Sequence, residues 1–256
     1  MKTIPILGLT LFAATLVNAQ TIIFDHDFTD YAGGATDGLG GTTVDGGSAT
    51  WSVAGFTGKD PEEAPYIYAN GDVTRGSAML AYTFTTGVYE LTATLNAGSL
   101  STIGFSVSAT VPTNSYYSQQ VASFGLRGGS TGEFEFFEGL GTGGGNDGGT
   151  LASYGINGQT DGTLRMILDW DDTTNTGSIV GYYTPDGGSE IQIDLDSNTG
   201  GINGNTISPG ADLLGVGFTS AGGSYETFTL TAIPEPSSFA FLGGLLALGL
   251  VTVRRR

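Results

Sequence analysis

The sequence predicts an all-β sandwich or jelly roll, and three observations predict it. Short runs that alternate apolar and polar residues recur along most of the chain. The spacers between them are rich in Gly, Asn and Asp, as in Gly143-Gly-Gly-Asn-Asp-Gly-Gly149 and Pro185-Asp-Gly-Gly188, which is turn and loop chemistry. No amphipathic helix of any length and no fixed-period repeat interrupts the pattern.

Taken in order, the expected strands are Thr21–Phe24, Thr50–Val53, Met79–Phe84, Val88–Leu95, Ile103–Ser108 and Val121–Leu126. They continue with Glu133–Phe137, Leu164–Trp170, Ser178–Tyr183, Glu190–Leu195, Leu214–Phe218 and Phe228–Ile233. Each gathers β-branched and aromatic residues between turn formers. Val88–Leu95 is the clearest case. A period of two sets Tyr89, Leu91, Ala93 and Leu95 on one face, with Val88 and Glu90 on the other. Leu164 to Tyr183 reads as strand, turn and strand, with the turn made from Asp171-Asp-Thr-Thr-Asn-Thr176.

This hairpin, together with Tyr89-Glu-Leu-Thr-Ala93, resembles the laminin-G or concanavalin-A-like jelly roll. The resemblance implies a two-sheet sandwich of about a dozen strands. Such sandwiches often bind carbohydrate and some bind calcium, although a fold does not by itself give a function.

Composition narrows the function classes. The 256 residues contain 44 glycines and no cysteine, so disulfides, thiolate metal sites and a cysteine nucleophile are excluded. The segment from residue 20 to 232 suits one domain and can bury a core without staples. Its only cations are Lys59, Arg75, Arg127 and Arg165. Set against 24 carboxylates they leave a net charge of −20. Nucleic acid is not an expected partner, because binding it takes clustered Lys and Arg. A solvated acidic surface is the simplest account of the charge.

Both ends carry targeting chemistry. Met1-Lys2, the apolar run Ile4 to Val17 and the small-residue site Val17-Asn18-Ala19 form a secretory signal peptide over 1–19, cut between Ala19 and Gln20. At the other end, in 233–256, stand Pro234-Glu235-Pro236, an uncharged run from Phe239 to Val253 and then Arg254-Arg255-Arg256. As a helix, 237–253 is roughly 25 Å long at 1.5 Å per residue. That makes a short transmembrane helix against a hydrocarbon core of ~30 Å. Three arginines do not cross, since each costs ~2.5–3.5 kcal/mol at the helix centre, so they stay cytoplasmic and the domain lies outside.

This tail resembles the PEP-CTERM sorting signal of Gram-negative envelope proteins. The resemblance covers about the last two dozen residues and rests on the tripeptide, the apolar helix and the closing arginines in that order. It implies recognition at the inner membrane by an exosortase-type transpeptidase, cleavage near the tripeptide, and delivery to the outer surface or extracellular matrix.

Several stretches offer chemistry, each beside a plainer account. Glu133-Phe-Glu-Phe-Phe-Glu138 resembles the strand of laminarinase-type endoglucanases that points its carboxylates into one cleft. That resemblance implies Glu133 as nucleophile, Glu138 as acid/base and Glu135 between them, with a bulge restoring the phase and the two carboxyl groups ~5–5.5 Å apart. The plainer account is a half-buried strand with Phe134 and Phe136 inward and Glu133 and Glu135 outward; a non-enzymatic domain is the expectation. Gly139-Leu-Gly-Thr-Gly-Gly144 matches a dinucleotide fingerprint, but no helix follows it, so it reads as a loop.

His26 is the one histidine, and it reads as a strand-end residue between two solvated aspartates, Asp25 and Asp27. Asp169, Asp171, Asp172 and Asn175 crowd one turn. Hard oxygens at that spacing can hold calcium there or near Asp194 and Asp196; otherwise they form and cap the turn. No other cofactor is expected. Tyr116-Tyr117 and Tyr182-Tyr183 are candidate exposed aromatics for a polysaccharide, whereas Trp51 and Trp170 are few for a sugar cleft.

Overall fold

The computed structural model describes residues 20–28, 37–54, 66–67, 76–98, 100–111, 122–128, 132–138, 149–156, 160–195, 205–220 and 224–234. The expected signal peptide over 1–19, the expected span 237–253, Glu235, Pro236, Arg254, Arg255 and Arg256 lie outside these residues. So do Tyr116-Tyr117, Gly139–Gly144 and Asp196. Among the described residues no helix is long and apolar enough to cross a membrane.

Among the described residues fifteen strands, β1 to β15 in chain order, make two main sheets and one two-stranded ribbon. The first sheet runs β1 (Thr21–Asp27), β15 (Ser224–Ile233), β6 (Gly87–Asn96), β10 (Asp161–Asp171), β11 (Thr176–Pro185) and β12 (Ile191–Ile193). A seventh strand, β13 (Asn205–Ile207), also pairs with β11. The second sheet runs β3 (Ser52–Ala54), β5 (Gly76–Ala81), β14 (Gly215–Ser220), β7 (Ser101–Ser106), β8 (Ala122–Arg127) and β9 (Glu133–Glu138). The ribbon is β2 (Asp37–Gly38) with β4 (Tyr66–Ile67). The neighbours β5–β6, β6–β7, β9–β10, β13–β14 and β14–β15 lie in different sheets, so the chain passes repeatedly between the layers.

Every expected strand falls on an observed one. The strands that the sequence did not announce are β2, β4 and β13, which at two or three residues are too short to show a period. Boundaries moved where the partner extends the ladder. β10 begins at Asp161 rather than Leu164 because Asp161, Gly162 and Thr163 pair with Asn96, Leu95 and Thr94. β5 ends at Ala81, short of the expected Phe84.

The core lies between the two sheets. From the first come Tyr89, Leu91, Ala93 and Leu95, on the face expected, with Leu164, Met166, Leu168 and Trp170. The second supplies Ile103, Phe105, Phe124, Leu126, Val216 and Phe218. Aromatic rings fill one end of this interior. Trp51 stands edge-on to Phe218 and Phe228, with ring centroids 5.2 and 5.3 Å apart. Phe28 meets Phe218 edge-on at 5.8 Å, and Tyr225 lies 4.4 Å from it. Both tryptophans are therefore core residues, which removes them as exposed sugar platforms.

His26 belongs to the core. It is buried, 1% exposed, and packs edge-on to Phe28 at 4.5 Å and Trp51 at 5.8 Å. The expected strand stopped at Phe24, but β1 runs on to Asp27. Its period sets Phe24 and His26 toward the core, with Phe28 following, while Asp25 and Asp27 face out. Asp45 closes the arrangement from the neighbouring loop: its Oδ2 accepts the Asp27 N–H at 2.6 Å and lies 3.5 Å from His26 Nδ1.

The folded unit spans Gln20–Ile233. Its first strand pairs with its last, Thr21 opposite Ala232, so both ends of the unit leave from one end of the same sheet.

Phe218→Ala removes a fully buried ring with four aromatic neighbours, and a destabilisation of about 3–5 kcal/mol is expected. Urea denaturation measures it; a midpoint equal to wild type would mean that the aromatic end of the interior is not packed as described.

Candidate functional site

The outer face of the seven-stranded sheet is polar and ends in a groove. Alternation along β15, β6, β10 and β11 leaves Thr227, Thr94, Thr163 and Thr184 facing outward in one row across four strands. Thr94 Oγ1 and Thr163 Oγ1 share a hydrogen bond of 3.1 Å, and Thr227 Oγ1 accepts the Thr94 N–H at 3.2 Å. Beyond this row the strands end, and there a groove of about 410 Å³ opens. Thr94 and Asn96 line it from β6, Asp161 and Thr163 from β10, and Thr184 from β11. Asp186 comes from the turn after β11, and Glu226 from β15.

Three local features shape the groove. The register of β15 against β6 shifts between Tyr225 and Thr227, which takes Glu226 out of the ladder. The Pro185–Gly188 turn closes with Gly188 N–H on Pro185 O at 2.9 Å, and Gly187 sits at φ +66°. Asp186 N–H reaches back to Asp161 O at 2.9 Å, which ties the turn to the start of β10. A side chain at Gly162 would meet Thr184 O at 2.3 Å, so glycine is needed for β10 to pass this close to β11.

The groove is acidic. Asp161, Asp186 and Glu226 are exposed, and no Lys or Arg stands among the lining residues. The same field reaches Tyr183 beneath it. Burial first, then the charges of Asp161 and Asp186, push its hydroxyl up to about 12. That hydroxyl donates to Asp161 O at 3.0 Å. Carboxylates, hydroxyls and an amide on an open floor can bond a polyol, and their field repels anions. The volume falls within the ~300–1,000 Å³ of small-ligand pockets.

The residues singled out from sequence are placed as follows. Tyr183 is not exposed but fully buried, because the β11 period turns it inward; Tyr182 is half-buried under Arg165, whose guanidinium carbon lies 4.0 Å from the ring centroid. Arg165 also forks onto Glu190 at 2.7 and 2.6 Å and reaches Glu90 at 3.0 Å.

On β9, Phe134 and Phe136 point into the core as the plainer account expects. Glu135 does not stand free in solvent. It is 1% exposed, and its Oε1 accepts from Arg127 Nε at 2.5 Å, while its Oε2 is buried without a hydrogen bond. The β8–β9 register runs from Arg127↔Glu133 to Ala122↔Glu138 without a shift, so positions 133 and 138 fall on opposite faces of the strand.

In the β10–β11 turn Asp171 and Asp172 accept local hydrogen bonds, whereas Asn175 Oδ1 is buried without one among the described residues. Asp171 Oδ1 accepts from Thr173 N–H at 2.9 Å and Thr173 Oγ1 at 2.6 Å. Bonds from the Thr173 hydroxyl, the Thr173 N–H and the Thr174 hydroxyl hold the Asp171 carboxyl below its ordinary value. Asp172 Oδ1 accepts from Thr86 Oγ1 at 2.6 Å, and Asn175 takes the left-handed position at φ +53°. Asp169 is exposed. No cluster of three or more metal-ligating side chains stands among the described residues. The groove itself escaped the sequence. Pro185-Asp-Gly-Gly188 was legible as a turn, but nothing local brings Asn96, Asp161 and Glu226 beside it.

No family model matches the chain, and no curated protein matches it. Among solved structures it is similar to the T. cruzi calreticulin globular domain, at 12% identity and TM-score 0.39, over 87% of this chain and 92% of that one. It is also similar to the winged bean acidic lectin complexed with methyl-α-D-galactose, at 8% identity and TM-score 0.36, over 81% and 97%. For the TRIM65 PSpry domain the values are 12% and 0.34, over 62% and 71%. At such TM-scores none of these bears on ligand or activity.

Arg127→Ala is expected to destabilise more than Glu135→Gln. The first strands a buried carboxylate, at a cost of about 3–5 kcal/mol. The second replaces that carboxylate with a neutral amide and leaves a half-exposed arginine to water. Equal losses in urea denaturation would contradict this account of the pair.

Asp171 carries a pH dependence of definite sign. Its folded value is depressed, so its contribution is present above the unfolded carboxylate value and is lost as pH falls through the folded one. Asp171→Asn keeps the acceptor and loses the titration. Its melting temperature should fall less steeply than wild type between about pH 5 and pH 2, and parallel curves would refute the assignment.

Proposed function

We propose that this chain is an exported surface or extracellular-matrix protein, displayed as a non-enzymatic, structural or adhesive β-sandwich that binds carbohydrate. In this reading residues 1–19 direct export. The tail from Pro234 to Arg256 is a PEP-CTERM signal read by an exosortase-type transpeptidase at the inner membrane. The observation that carries the reading is the coincidence of boundaries. The folded unit begins at Gln20, the residue after the expected cut, and ends at Ile233, the residue before the tripeptide. Each targeting segment can therefore be removed without cutting a strand.

The carbohydrate part of the reading is supported by the groove. Its hydroxyls, amide and carboxylates suit sugar hydroxyls, and its acidity favours neutral or cationic glycans over uronate-rich or sulfated ones.

Two measurements test the reading. The mass of the protein recovered from its native envelope should lack both 1–19 and Arg254–Arg256; a mature chain still ending in Arg256 would refute sorting by tail removal. Residues 20–233, run through native gels cast with neutral, amino-sugar and uronate polysaccharides, should be retarded by the first or second and not by the third. The triple variant Asp161→Asn, Asp186→Asn, Glu226→Gln should lose most of that retardation. Unchanged migration in every gel would leave a structural protein without glycan affinity. Loss of stained polymer, abolished by Glu133→Gln with Glu138→Gln, would assign a glycoside hydrolase instead.

A further inference from the structure

We infer that Gln20 is a modification site, at which the mature chain blocks its own amino terminus as a pyroglutamyl lactam. The inference rests on the export reading, since only cleavage after Ala19 exposes the Gln20 amine. The step needs no co-reactant. The α-amine attacks Cδ of the side-chain carboxamide, a C–N bond closes the five-membered ring, the Cδ–Nε2 bond breaks, and Nε2 leaves as ammonia with a proton given up by the amine. Amine and carboxamide belong to one residue, so the reaction is intramolecular and gains from their enforced proximity.

The fold leaves that residue free to react. Gln20 is exposed and precedes the first strand. The sheet ladder starts one residue later, at Thr21 opposite Ala232, so ring closure breaks no strand pairing. Its side chain makes no hydrogen bond to the described residues. Gln20 is also the first residue of the folded unit, which leaves no slack between the new terminus and β1.

The consequence falls on β1. This strand is the edge of its sheet, laddered to β15 and bridged to Gly46 at Asp25, and it carries Phe24 and His26 into the core and leads directly to Phe28. An aminopeptidase working inward from a free amine would remove Gln20, Thr21, Ile22 and Ile23 and then reach Phe24. A lactam offers it no amine. The ring also deletes one positive charge from a domain that has few.

The test uses the full chain exported through its own leader and recovered from the envelope, followed by peptide mass and stepwise amino-terminal sequencing. The expected peptide begins at residue 20, is lighter than the unmodified one by one ammonia, and resists sequencing. The Gln20→Ala chain, exported in the same way, should be readable from residue 20 and melt like wild type. Under aminopeptidase challenge the wild type should stay intact while Gln20→Ala is trimmed into β1.

A chain that begins at Gln20 with a persistent free amine would overturn the lactam and leave the export reading standing. A chain that begins elsewhere would overturn both. Equal trimming of wild type and Gln20→Ala would overturn the protective role.

Discussion

The structure depends on the double pairing of β6. All ten of its residues lie within the span paired to β10 on one side, and all but Gly87 within that paired to β15 on the other. A slip of one residue on either side would turn Tyr89, Leu91, Ala93 and Leu95 from the core to water. That penalty fixes the register of three long strands at once. Where they end is fixed too: Asn96 stands opposite Asp161 on one side and Ser224 on the other. The groove is the space left where these three strands stop and the β11 turn folds over them. Its acidic residues meet because the core sets the register.

The same constraint brings the ends of the domain together. β15 pairs with β6 on one side and with β1 on the other, so the last strand holds the first. Both junctions lie at one end of the seven-stranded sheet, away from the groove at Asn96 and Asp161. The ladder itself runs from Thr21 to Ile233.

Buried polar groups mark where the fold gives up stability. Glu135 is sealed beside Gly125 with Arg127 as the partner of one oxygen and none for the other. Trp51 Nε1 and Trp170 Nε1 are likewise buried without acceptors. Such groups cost free energy, which the aromatic packing around Trp51 and Phe218 offsets. By contrast Tyr225 is well satisfied, its hydroxyl set between Thr102 O at 3.0 Å and Thr219 O at 2.9 Å, and it ties the two sheets together from inside the core.

The sequence by itself determined the all-β class, every long strand, the inward face of β6 and the turn at Asp171–Thr176. These follow from period-two alternation and from turn residues, both of which are local in the chain. Tertiary structure alone decided the rest. His26 was legible as a strand-end residue between solvated aspartates, but that strand parity continues past Phe24 and sets it in the core was not. Tyr183 and Glu135 were expected exposed and are covered, since the cover comes from residues distant in sequence. The groove draws on four strands and a turn spread from Thr94 to Glu226, and only antiparallel pairing across that distance makes them neighbours. Local patterning can say which face a residue takes on its own strand. It carries no information about which strands meet, and the candidate site exists only where they do.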